Sequence, residues 1–169
     1  MPMINVFAPK GALTRAQVEL LTEKLTHELL VIEGVDNDAS RSIAWVMFHE
    51  VNADQWAVGG RFDDHYVPEG GRFLVLVSVP LGGLFARGKK DDVAKSVDQA
   101  IREVLKLPAE EGKRWAPWVI VNDVPNGNWG AGGLIRTLWE VGSYARKNVV
   151  ALPDNHPSAK VFAATKSKG

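Results

Sequence analysis

The sequence predicts an α/β fold: tandem βαβ units forming one four-stranded mixed sheet, with two helices on one face. Three observations carry this expectation. A 16-residue stretch beginning at Trp45 recurs without a gap from Trp118, with Trp, Val, an acid, Val, Trp and a Gly-Gly pair in register. Upstream, Pro9 and Gly11 at the end of one apolar strand match Pro80 and Gly82 at the end of another. Between the strands lie two segments of helical periodicity. The unit of the repeat is therefore strand, helix, strand, Gly-rich hairpin, used twice, over residues 2–72 and 73–145, with a tail at 146–169.

The elements follow in order. Met3 to Ala8 alternates as a half-buried strand does. Thr14 and Gln17 form a capping box, and Val18, Leu21, Leu25 and Leu29 recur at helical spacing up to a stop at Gly34. A strand is expected over residues 42–51. In the second unit the strand covers 73–79, and Val93, Val97, Ile101, Val104 and Leu105 form the helical stripe before Pro108. The last strand spans 118–124. Two strands joined through a helix should be parallel with a right-handed crossover. The second face of the sheet needs a cover, and self-association supplies it most economically. Residues 134–145 read as a short helix or strand, and the Lys-, Pro-, Asn- and Ser-rich tail as a loose wrap.

Composition narrows the function. Of 169 residues, 20 are Lys or Arg and 20 are Asp or Glu, so no global field draws the chain to nucleic acid or a membrane. Cysteine is absent, which removes disulfides, thiolate catalysis and cysteine-based metal sites. There is no signal-peptide pattern and no run of spanning length, so a cytoplasmic protein is expected. The four histidines show no ligand spacing, and His49 beside Glu50 reads as a hydrogen-bonded strand residue. The Gly-Gly pairs lack the context of a phosphate loop. The tail lysines read as a solvated surface.

Pro2 is the residue through which the chain points to chemistry. Removal of Met1 before so small a residue leaves a secondary amine at the start of a strand. Such an amine serves as a general base or as a nucleophile toward carbonyls. Phe73 takes the equivalent place in the second unit, so one proline site is expected per unit pair.

Pro2 with its strand, Gly11, and the hairpins Glu50–Trp56–Gly59-Gly60 and Asp123–Trp129–Gly132-Gly133 resemble the tautomerase superfamily. That family includes 4-oxalocrotonate tautomerase, malonate semialdehyde decarboxylase, cis-3-chloroacrylic acid dehalogenase and macrophage migration inhibitory factor. The resemblance spans residues 2–133. It implies the tautomerase-like β-α-β fold, a homotrimer with sites near subunit boundaries, a small carboxylate substrate, no cofactor, no metal, and Pro2 as catalytic base. It also marks substrate-binding candidates: Arg41 ahead of the second strand, Arg87 and Lys89 in the loop after the third, and Trp118, Ile120 and Trp129 as pocket walls. Trp45 and Trp118 stand where the family has a strand arginine or its equivalent, and Ala12 where an arginine follows the strand-ending glycine. The dehalogenase's glutamate and histidine fall on Ala131 and Leu29. Keto–enol tautomerisation of a 2-oxo acid such as phenylpyruvate is the activity expected first. Decarboxylation, hydration or dehalogenation of a three-carbon acid, and a non-catalytic binding or signalling trimer, are the alternatives.

Overall fold

The computed structural model describes residues 2–84, 88–108 and 115–146. Strand β1 (Met3–Pro9) leads into helix α1 (Arg15–Glu33), a short helix α2 (Asp38–Arg41) and strand β2 (Trp45–Val51). A 3₁₀ turn (Ala53–Gln55) and a long loop follow. Strand β3 (Leu74–Pro80), helix α3 (Lys89–Leu105) and strand β4 (Trp118–Val124) repeat the pattern. Two-residue strands β5 (Gly130–Ala131) and β6 (Leu134–Ile135) form a hairpin, and helix α4 (Leu138–Arg146) comes after it.

The sheet order is β2-β1-β3-β4. Each βαβ unit contributes a parallel pair, and the units meet through antiparallel β1 and β3. This is the mixed four-stranded sheet that the repeat predicts. Alternation along the strands sends Ile4, Val6 and Ala8 of β1, with Val75, Val77 and Val79 of β3, toward the helices. There they meet Leu21, Leu25 and Leu29 of α1 and Val93, Val97 and Ile101 of α3. Each fully buried Val, Leu or Ile among them contributes about 1.5–3 kcal/mol.

The opposite face carries three rows of four residues. Trp45, Met3, Ser78 and Asn122 form one row; Met47, Asn5, Leu76 and Ile120 the next; His49, Phe7, Leu74 and Trp118 the third. Eight of these twelve are apolar, yet no described element covers them. Trp45 and Trp118, on the two edge strands, are 58% and 57% exposed. The central polar pair is internally matched. His49 Nε2 lies 2.8 Å from Asn5 Oδ1, and its ring stacks on Phe7.

Local chemistry sets the ends of the elements. Thr14 and Gln17 cap α1 reciprocally, and Gly34 closes it in the left-handed conformation (φ 94°). The two Gly-Gly pairs adopt nearly the same turn. Gly59 and Gly60 have φ of 59° and 78°, and Gly132 and Gly133 have 61° and 78°, as a tight hairpin turn with two positive φ values demands. Val58 and Arg61 close the first turn through mutual backbone hydrogen bonds, and β5–β6 close the second. The strand expected from residue 42 begins at Trp45, because Asn37 and Ser40 cap the turn of α2 and hold 38–41 helical. Among the described residues, no helix is long and apolar enough to cross a membrane, and no group of three His, Asp or Glu is placed to hold a metal ion.

Candidate active site

One end of the sheet gathers the candidate chemistry. Because β1 and β3 are antiparallel, the start of β1 lies beside the end of β3. The parallel pairings bring the start of β2 and the end of β4 to the same end. Pro2 is buried there, one step before Met3. Its carbonyl accepts the Trp45 N–H at 3.2 Å, which fastens it to the first residue of β2. Continuing the register sets Pro2 opposite Val79, on the helix-facing side of the sheet. Val79 is thus its neighbour across the sheet, at one end of the core.

The remaining residues at this end arrive from three directions. Helix α1 runs toward it and ends at Glu33. The Glu33 Oε1 atom is buried and lies 3.8 Å from the point where a Cβ on Gly83 would sit; the Val79 Cβ is equally close to that point. Helix α3 starts here, and Lys90 at its N-terminus pairs with Asp123 near the end of β4. Chain 125–146 leaves β4 on one edge of the sheet and returns to α2 beside the other edge, so it crosses the end that holds Pro2. Asn37 Nδ2 donates to the Ala145 carbonyl at 2.9 Å, and Ser42 Oγ lies 3.3 Å from the Tyr144 hydroxyl. These bonds dock α4 on α2.

Beneath α4 opens a cleft of about 720 Å³. Its lining includes Ile43 from the α2–β2 corner, Ala131 and Gly132 from the hairpin, and Arg136, Trp139, Glu140, Ser143 and Tyr144. Ile43 stands two residues before Trp45, whose N–H holds Pro2. The cleft therefore abuts the strand corner that fixes the candidate base.

The candidates named from the sequence separate into groups. Pro2 and Lys89 belong to this end of the sheet. Lys89 opens α3, is half-buried, and forms no ion pair with a described residue. Arg87 lies outside the described residues. Trp129 is buried, and its carbonyl accepts the Arg136 N–H at 2.7 Å, so it anchors the hairpin that crosses here. Ile120 and Trp118 point to the uncovered face, away from Pro2. Trp118 is level with Phe7, five residues along, about 16 Å at strand rise. Within one chain, neither reaches the proline.

Arg41 stands close in sequence but is already occupied. Its Nε and Nη2 donate to the two oxygens of Asp36 at 2.6 and 2.9 Å, and its Nη1 donates to both oxygens of Glu23 at 3.0 Å. These bonds raise the guanidinium further above its ordinary range, Asp36 contributing most and Glu23 next. In return Arg41, followed by His27, pulls the Asp36 carboxyl down to about 2. All three guanidinium nitrogens are engaged, so Arg41 ties α1 to α2 and has little left for a substrate carboxylate.

Sequence reading passed over Arg136, Trp139, Ser143 and Tyr144. A signal was present: Thr137 and Glu140 form a capping box just before the α4 stretch. Glu140 Oε2 accepts from the Thr137 N–H at 2.8 Å and from its hydroxyl at 3.0 Å. The backbone bond from Thr137 is the largest reason that the Glu140 carboxyl sits below its usual range.

No protein-family model matches the sequence, and no curated protein does either. Solved structures do match the fold. Native fused 4-OT is 22% identical at a TM-score of 0.63, covering 79% of this chain and 94% of that one. N1, a member of the cis-3-chloroacrylic acid dehalogenase family, is 22% identical at 0.59 and covers 96% and 99%. The macrophage migration inhibitory factor of Toxoplasma gondii is 17% identical at 0.52, covering 77% and 96%. At these identities the likeness is one of fold. The chain has the tautomerase-like β-α-β fold, in the arrangement of two consecutive units.

Proposed function

We propose that this protein is a cofactor-independent isomerase of the tautomerase type, acting on a small 2-oxo or unsaturated carboxylic acid with Pro2 as general base. The observation that carries the reading is the burial of Pro2 at the end of the sheet, fastened through Trp45 to the corner whose Ile43 lines a cleft that would admit a small acid. Removal of Met1 frees the Pro2 nitrogen as a secondary amine. An α-amino group titrates near ~7.7–8.0 and a proline amine is more basic. Burial disfavours the ammonium form and brings such a group toward neutral pH, where a base works best. The amine takes a proton from the carbon beside the substrate carbonyl, and the electron pair moves onto the carbonyl oxygen. Return of that proton to a different atom gives the isomer, with no net oxidation and no co-reactant. Phenylpyruvate is the first substrate to test, and the cytoplasm the expected setting.

Self-association completes the reading. Eight apolar side chains on the uncovered sheet face call for a cover, and a homotrimer supplies it. A fused 4-OT of the same fold is described as an asymmetric trimer. In such an assembly Trp118 and Ile120 of one copy would wall the site of another. Light scattering coupled to size exclusion should give a mass near three times 18.5 kDa. A monomer would overturn the assembly.

Intact mass should first show a chain lacking Met1. Pro2→Ala should then lower turnover of 2-oxo acids by about 10²–10⁴-fold, as loss of a positioned base does, while the oligomer persists. Undiminished turnover would sink the mechanism. Release of carbon dioxide from a three-carbon oxo acid, with no solvent-proton exchange into phenylpyruvate, would move the assignment to a decarboxylase. Absence of both would leave a binding protein.

A further inference from the structure

Arg41, the arginine that the sequence offers for a substrate carboxylate, is consumed by Asp36 and Glu23. Lys90 is consumed by Asp123. Another cation faces the cleft beneath α4, and its donors are poorly used. Arg136 Nε reaches the Ala131 carbonyl at a long 3.4 Å, and Nη1 approaches Glu140 Oε1 at 3.5 Å. Its Nη2 lies 4.0 Å from the point where a Cβ on Gly132 would sit, and donates to no described residue. Glu140 Oε1 offsets this charge only from 3.5 Å, while its other oxygen is engaged by Thr137 in the cap of α4.

The rest of the cleft suits a flat acid. Trp139 and Tyr144 add aromatic side chains to its lining, which suits a conjugated body. Ser143 Oγ is buried with no hydrogen-bond partner among the described residues, a cost that a ligand oxygen would relieve. A volume of about 720 Å³ falls in the range of small-molecule sites, roughly 300–1,000 Å³.

We propose that the α4 cleft binds small planar carboxylates, aromatic or conjugated, with Arg136 gripping the carboxylate and Ser143 Oγ donating to it. The inference rests on the Proposed function only in taking the cleft for the approach to Pro2. Binding itself does not require Pro2 to be a base. Arginine suits the task because its planar fork meets both carboxylate oxygens. Placed between β6 and α4, it reaches the cleft from the segment that crosses the proline end of the sheet.

Isothermal titration with trans-cinnamate, which has no ketone to enolise, tests the site on the full chain. The neutral analogue cinnamamide is the control. Arg136→Gln should weaken cinnamate binding by roughly tenfold or more, as loss of a charged hydrogen bond does. Cinnamamide should be nearly unaffected, and Arg136→Lys should recover part of the loss. With phenylpyruvate, Arg136→Gln should raise KM by a similar factor and change kcat less. Equal cinnamate affinity in wild type and Arg136→Gln, with both folded by circular dichroism, overturns the proposal. Dissociation of the oligomer on Arg136→Gln also overturns it, since the cleft would then be an interface between copies. Retained turnover in Pro2→Ala, with Arg136→Gln still weakening cinnamate, would remove the base and leave this site standing.

Discussion

The two βαβ units build the same core but not the same site. Pro2 and Phe73 stand at equivalent strand starts, both buried, and each passes its carbonyl to the first residue of the next parallel strand. Trp45 N–H binds Pro2 at 3.2 Å and Trp118 N–H binds Phe73 at 2.9 Å. One position holds a potential amine; the other holds a hydrocarbon ring. The acids of the repeat diverge as well. Glu50 accepts the Gly11 N–H at 2.9 Å and steadies a turn, whereas Asp123 pairs with Lys90. Beyond the Gly-Gly turns the difference is larger. The first leads into a long exposed loop pinned by Arg72, which donates to Asp64 and to the Phe62 and Asp63 carbonyls. The second leads into α4, which folds back on α2 and forms the cleft. Duplication supplied the scaffold twice, and what each hairpin runs into decides where a ligand can sit.

The greatest expected effect tests that contrast directly. Pro2→Ala should abolish most turnover, while Phe73→Leu, at the matching strand start, should cost stability and leave kcat within a small factor. Comparable loss of kcat in both variants, measured on the same 2-oxo acid, would mean that the strand start matters for packing and not for its amine.

A smaller effect separates the hairpins. Alanine at Gly59 or at Gly132 must adopt a left-handed conformation, a strain of about 1 kcal/mol or more. At Gly59 the new methyl would also come within 2.6 Å of the Tyr66 ring, which must swing away, whereas at Gly132 the nearest atom is Arg136 Nη2 at 4.0 Å. Gly59→Ala should therefore lower the melting temperature more than Gly132→Ala. Gly132→Ala should be the one that also alters cinnamate affinity. The reverse order in thermal melts would show that the loop after the first turn yields freely.

The smallest effect concerns the α1–α2 clasp. The Asp36 carboxyl is depressed from 3.8 to about 2, mainly by Arg41. A depressed carboxyl stabilises the fold above its unfolded pKa, and that stabilisation fades as pH falls through the folded value. Wild type should lose stability on this account between roughly pH 4 and pH 2. Asp36→Asn should be less stable at neutral pH and show a flatter acid limb over that window. Parallel limbs in urea melts at several pH values would remove Asp36 as the cause.

Much of this molecule was legible in the chain. Periodicity fixed which faces of the strands and helices are apolar, because side chains alternate with period two or 3.6 whatever the surroundings. The Trp-to-Gly-Gly repeat fixed the unit and its double use, and the glycine pairs fixed the turns, since two consecutive positive φ values admit little else. The proline was visible as a residue type at a position. What the sequence left open depended on partners distant along the chain. Arg41 looked available because Asp36 and Glu23 reach it from other elements. Within one chain, parallel and antiparallel pairing set Trp118 at the other end of the sheet from Pro2 and on the other face, so a wall role for it depends on a neighbouring copy. Arg136 drew no attention until α4 settled on α2. Local pattern determines which elements form; the register and docking of those elements determine which charges are spent and which remain to meet a ligand.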